Sequence, residues 1–156
     1  MKLWVVSDLH IEHEAFITEP PDADVAVLAG DISRPLPFVV DWIATEISWR
    51  MPVVLVPGNH EFYADSILVG LARGRAEAAQ HPGIHLLSDN SVVIGGVRFV
   101  GGTLWTDYEL GAARQPGPAR DRDIAYAMKI ARETSADNVK IRLRDKERER
   151  MWSPED

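Results

Sequence analysis

Three runs of apolar, mostly β-branched residues mark the first third of the chain: Leu3–Ser7, Val25–Ala29 and Pro52–Val56. None alternates apolar with polar. Each therefore fits a strand buried on both faces of a parallel sheet. Between the second and third runs, Val39, Val40, Trp42, Ile43 and Ile47 recur at roughly helical spacing within Leu36 to Arg50, which makes a βαβ crossover. Between the first and second, Pro20-Pro21 limits any helix to a short one. The pattern then predicts a helix from Asp65 to Gln80 and a short strand at Ile84–Leu87. A hairpin follows, with arms Val92–Ile94 and Val97–Val100 around Gly95-Gly96. Residues 111–120 read as a loop and Asp121 to Thr134 as a helix. From Asn138 to Arg150, charges of alternating sign with few apolar anchors fit a solvated helix or a loosely held segment. The expected fold class is α/β.

Composition narrows the chemistry. The 156 residues suit a single domain, 46% of them are hydrophobic, and a real core is affordable at that size. Cysteine is absent, which excludes disulfides, a thiolate nucleophile and Cys-ligated zinc or iron–sulfur sites. Five histidines, with carboxylates and amides, remain as metal ligands. The opening apolar run is too short for a membrane span or a signal-peptide core, and Asp8 follows it at once, so a cytoplasmic protein is expected. The net charge of −7 is uneven. Residues 1–110 hold 6 basic and 15 acidic residues; residues 111–156 hold 11 basic and 9 acidic. An acidic body argues against a nucleic-acid footprint, which needs a Lys/Arg face. It leaves room for a phosphorylated substrate when bound cations supply the positive charge.

The candidate chemistry sits where the three runs end. They terminate in Asp8-Leu9-His10, Gly30-Asp31 and Gly58-Asn59-His60-Glu61. Ligands of open α/β sheets bind beyond the carboxyl ends of the strands. Asp8, His10, Asp31, Asn59 and His60 should therefore converge. Two carboxylates, two imidazoles and one amide suit Mn, Fe, Zn or Ni. Asp8 and His10, two apart, can face one side as strand gives way to loop. Asp31 has two oxygens with which to bridge two ions. Gly30 removes a side chain where backbone must pass close, and Gly58 permits a tight turn. His60 is left to hydrogen-bond or protonate a leaving oxygen. Arg34 follows the Gly-Asp block and could hold a phosphate oxygen, and Tyr63 and Trp105 could line a pocket, but a solvated arginine and packing aromatics are the simpler reading. His13, His81 and His85 read as surface or loop residues.

Ser7-Asp8-Leu9-His10, Leu28-Ala29-Gly30-Asp31 and Val56-Pro57-Gly58-Asn59-His60-Glu61 together resemble the calcineurin-like metallophosphoesterase family, with its D-x-H, G-D and G-N-H-D/E blocks. The order matches, as do the intervals of 23 residues from Asp8 to Asp31 and 28 from Asp31 to Asn59. The resemblance implies a four-layer α/β/β/α sandwich that hydrolyses phosphomonoesters or phosphodiesters of small-molecule or nucleotide type. By matching positions, Asp8 and His10 would bind a first metal, Asp31 would bridge, Asn59 would bind a second, and His60 would stand beside the scissile ester. Residues 1–110 carry the resemblance well and 111–156 poorly.

One departure matters. The family completes its site with a later strand-end histidine and a G-H-x-H block, yet no histidine follows His85. The second ion keeps only Asp31 and Asn59, and weak binding there is expected. The chain ends in Ser153-Pro154-Glu155-Asp156, a helix-start signature. Both features lead us to expect the amino-terminal portion of a longer enzyme, an incomplete sandwich with exposed apolar faces and a tendency to self-associate. The alternative function is a catalytically impaired metal-binding or scaffold remnant.

Overall fold

The computed structural model describes residues 1–156 except 18, 64, 111–116, 146–147, 152 and 155–156. Four parallel strands, β1 (Leu3–Val6), β2 (Val25–Ala29), β3 (Val53–Val56) and β4 (Ile84–Leu86), pair in sequence order. The register sets Val6 beside Leu28 and Leu28 beside Leu55, so the carboxyl ends of β1, β2 and β3 lie level. That alignment brings the three polar blocks to one edge of the sheet.

Two helices, α1 (Leu36–Glu46) and α2 (Ile67–Ala78), cover one face. Leu36, Val39, Val40 and Ile43 of α1 are wholly buried against Ala26, Leu28, Val53 and Leu55 of the sheet. Ser66 starts α2 by accepting the Val69 N–H on its hydroxyl, 3.3 Å away. The two helices touch where Gly74 faces Leu36, since a Cβ at Gly74 would come within 2.5 Å of that side chain.

The opposite face receives a hairpin, β5 (Asn90–Ile94) and β6 (Val97–Gly101). Gly95 and Gly96 turn it with φ of 56° and 80°, the left-handed pair that a two-residue turn needs. Its Val92, Ile94 and Phe99 pack on Val25, Val54 and Leu87. This cover stops short of the sheet's edge. Leu3 and Val5 of β1 remain 47% and 59% exposed, so burial on both faces holds for β2 and β3 and fails for β1.

The carboxyl-terminal third differs from its sequence reading. Residues 111–116 of the expected loop lie outside the described residues, and α3 (Pro118–Thr134) begins three residues earlier than expected. The stretch expected to be a solvated helix or a loose segment is instead a short helix, α4 (Asp137–Lys140), followed by an antiparallel pair, β7 (Arg142–Asp145) and β8 (Arg148–Met151). The reason is a single anchor. Ile141 is fully buried in the main core, Leu143 packs beside it, and the Arg142 N–H bonds the Asp65 carbonyl at 3.1 Å. The expected helix start at Ser153–Asp156 falls partly outside the described residues.

One buried carboxylate ties the strand ends together. Glu61 is 0% exposed. Its Oε1 accepts the N–H groups of Ile32 (2.7 Å) and Ser33 (3.3 Å); its Oε2 accepts those of Gly58 (2.7 Å) and Asp31 (3.1 Å). Burial pushes its pKa up, opposed by the bonds from Ile32, Gly58 and Asp31. The Glu61→Gln protein should lose about 3 kcal/mol of stability in urea unfolding, because an amide NH₂ facing N–H donors strands buried backbone groups. An unchanged midpoint would remove Glu61 from this role.

Candidate metal centre

The polar blocks are joined by backbone before any side chain acts. Past the end of β1, Asp8 N–H bonds the Gly30 carbonyl (3.0 Å), His10 N–H the Asp31 carbonyl (3.1 Å) and Ile11 N–H the Ile32 carbonyl (2.9 Å). The first two loops are thus zipped along their length. The second and third meet at two glycines. Gly30, at φ 91°, lies so close to Gly58 that a Cβ would be 3.0 Å from the Gly58 Cα. A Cβ on Gly58 would lie 2.2 Å from Asp31 Oδ1. Close approach to Asp31, with no positive φ, is therefore what Gly58 supplies, in place of the expected tight turn.

Asp8, His10 and Asp31 offer ligand atoms that all lie within 4.8 Å of one another. They do not converge by strand alternation, as expected for Asp8 and His10. All three adopt left-handed backbone, with φ of 54°, 46° and 55°. Such a conformation costs a non-glycine residue on the order of 1 kcal/mol, and here it turns three side chains inward. Asp31 is steadied by the His60 N–H, which donates to its Oδ1 at 3.0 Å. His10 Nδ1 is buried and has no hydrogen-bond partner among the described residues; Glu12 Oε1, at 3.6 Å, is too distant to be one. An unpaired buried imidazole nitrogen among carboxylates suits a divalent cation, so the donor set fits a metal.

His60 is held from three sides. Its Nδ1 lies 2.7 Å from Glu12 Oε1, its ring sits edge-on to His10 at 4.3 Å between centroids, and Tyr63 lies 4.3 Å away at 33°. An ionised carboxylate only accepts, so Nδ1 carries the proton in this pair. Burial opposes ionisation of Glu12, but the hydrogen bond from His60, Glu12's own backbone and the His60 charge outweigh it and hold the carboxyl below its usual value. His10, Glu12 and His60 form a second group whose ligand atoms lie within 4.8 Å of one another.

Asn59 turns toward the carboxyl-terminal third. Its Nδ2 donates to Asp137 Oδ1 at 2.7 Å and to the Tyr63 hydroxyl oxygen at 3.1 Å; that hydroxyl donates to the same Asp137 oxygen at 2.8 Å. Burial, then the hydrogen bond to Asp137 and the charges of Asp137 and Asp31, raise the Tyr63 pKa. Lys140 lies 4.6 Å over the outer face of the Tyr63 ring.

An open cavity of about 730 Å³ lies beside these groups. Asp8, Asp31, Asn59 and Asp137 supply its polar side; Val56, Val100, Leu104 and Trp105 supply its apolar side. The Thr103 hydroxyl donates to the Pro57 carbonyl at 2.6 Å and ties that wall to the third loop. Among the described residues, no lysine, arginine or histidine lines the cavity.

The structure therefore brings Asp8, His10, Asp31, Asn59 and His60 to one end of the sheet. Of the remaining histidines, His13 is largely exposed, His81 faces Glu77 at 3.7 Å, and His85 sits in β4. Sequence reasoning missed Glu12, Asp137 and the work of Glu61, and assigned Tyr63 to packing alone. Glu12 stands two residues past His10, which was a usable hint. Asp137 carried none, since it lies in the stretch with the weakest pattern.

No curated protein matches the chain. A family description does: the model of the calcineurin-like phosphoesterases matches residues 1–147, a span that takes in all three strand-end blocks and also Asp137. Blocks, sheet edge and family match agree, and the chain belongs to the calcineurin-like phosphoesterase family.

Proposed function

We propose that this protein is a metal-dependent phosphoesterase that hydrolyses phosphomonoesters or phosphodiesters of small-molecule or nucleotide type. The observation that carries the reading is the cavity. Three aspartates line it and no basic side chain does among the described residues, so an anionic ester fits only alongside cations. In this reading the layers described above belong to a four-layer α/β/β/α sandwich.

Asp8, His10 and Asp31 would hold a first divalent ion; Asp31 would also reach a second, with the Asn59 carbonyl oxygen as its other ligand. Mn, Fe, Zn and Ni suit this mixed donor set. Bound there, two such ions supply Lewis-acid neutralisation of the phosphate and activation of water at neutral pH.

The chain's own residues do the rest. Glu12 occupies His60 Nδ1 and fixes the orientation of the ring. His60 is not part of the cavity wall but adjoins it through Asp31; in this reading its imidazolium form would donate the Nε2 proton to the departing alkoxide oxygen of an ester held beside Asp31. Tyr63 and His10 fix the tilt of the ring. Leu104 and Trp105 offer apolar surface to the organic part of the ester.

Two substitutions test the reading. Asp31→Asn should lower metal content in elemental analysis of the purified protein, and turnover of an aryl phosphate or diester should fall with it. Unchanged metal and activity would exclude a bridging role. His60→Ala should retain metal and lose about 10²–10⁴-fold in kcat, with the larger loss on poor leaving groups. Equal losses on good and poor leaving groups would exclude proton donation. A parent protein that binds metal and turns over neither substrate class would instead be the scaffold remnant.

A further inference from the structure

We propose that Asp137 is a positioning residue of the second ion site: it fixes the Asn59 amide so that only the carbonyl oxygen faces the ion. The inference rests on the phosphoesterase reading and deepens it. It makes the carboxyl-terminal third a working part of the metal centre.

The argument is one of saturated donors. An asparagine amide can present either its oxygen or its NH₂, and only the oxygen binds a cation. Here the nitrogen is committed twice, to Asp137 Oδ1 at 2.7 Å and to the Tyr63 oxygen at 3.1 Å. Flipping the amide would set its carbonyl oxygen against the Asp137 carboxylate and lose both bonds. Tyr63 locks the arrangement from the other side, donating its own proton to Asp137 Oδ1 at 2.8 Å. Three groups thus close a ring in which each bond fixes the direction of the next.

This matters more here than in a site rich in ligands. Past His85 the chain offers no histidine, so the second ion relies on Asp31 and Asn59. With few ligands, orientation of each carries more of the affinity, as with outer partners of metal ligands generally. Asp137 is itself placed by the core. Ala136 caps α4, the Ser135 hydroxyl accepts the Asp137 N–H at 3.2 Å, and Ile141 at the far end of α4 is fully buried. The buried anchor thus carries the carboxylate to a cavity whose proposed ligands lie 78 or more residues earlier.

The test is calorimetric titration of Mn²⁺ into the full-length parent, Asp137→Ala, Asp137→Asn and Tyr63→Phe, with metal-free thermal midpoints measured alongside. The expected result is a first ion bound within about twofold of the parent in every variant. The second ion should bind about 10–100-fold more weakly in Asp137→Ala. Asp137→Asn, which keeps an acceptor oxygen, should recover part of that loss, and Tyr63→Phe should show a smaller one. If Asp137→Ala does not fold, the Asp137→Asn and Tyr63→Phe titrations decide. Second-ion affinity equal to the parent's overturns the proposal, and so does equal weakening of both ions, which marks a merely structural role. A parent that binds one ion overturns this inference while leaving a metal-dependent phosphoesterase; a parent that binds none overturns both.

Discussion

Everything at the carboxyl edge of this sheet depends on the Glu61 carboxylate. Parallel strands end in loops whose first N–H groups have no ladder partner, and a buried loop cannot leave them unpaired. Glu61 collects four of them, two on each oxygen, from the loops after β2 and β3. Four donors offset part of the cost of burying the carboxylate, and the two loops are drawn together. Once they meet, Gly30 lies against Gly58 and the Asp31 carboxylate fits the space that Gly58 leaves empty. A larger residue at either glycine, or a neutral one at Glu61, would separate loops that must sit within a few ångströms.

From that clamp the site is built outward in shells of increasing sequence distance. Backbone bonds carry the loop after β1 onto the loop after β2 and turn Asp8 and His10 inward through left-handed backbone. Glu12, two residues further, reaches His60 on the loop after β3. Asp137, from α4, reaches Asn59 and Tyr63. Each outer contact directs a group of the inner set, and none duplicates it. The rigid sheet keeps the inner set in place, and the loops supply the chemistry.

Charge runs through the whole arrangement. The first 110 residues carry the acidic excess, and two of those acids, Asp8 and Asp31, surround one cavity together with Asp137. Such crowding is unfavourable without cations and favourable with them. The apolar wall from the hairpin and the segment after it gives the same cavity a second character, suited to the organic part of an ester. The uncovered Leu3 and Val5 show that the hairpin shields the face of β2 and β3 more fully than that of β1.

The sequence by itself determined β1 to β4, the parallel character of the first three, and the five residues at their ends. Continuous apolar runs and glycine-linked polar blocks are local signals, written in neighbouring positions. It also carried the helices α1 and α2 and the hairpin turn at Gly95-Gly96 to within a few residues. The tertiary structure alone decided that Gly58 serves Asp31, that Glu61 joins two loops, that Glu12 holds His60 and that Asp137 holds Asn59. These are contacts between residues 27 to 78 positions apart, apart from the Gly58–Glu61 bond, and side-chain spacing along a strand or helix cannot encode them. The same limit explains the carboxyl-terminal third. Its charges read as a solvated surface, and only the burial of Ile141 in a core made by the rest of the chain shows why it folds back to the site.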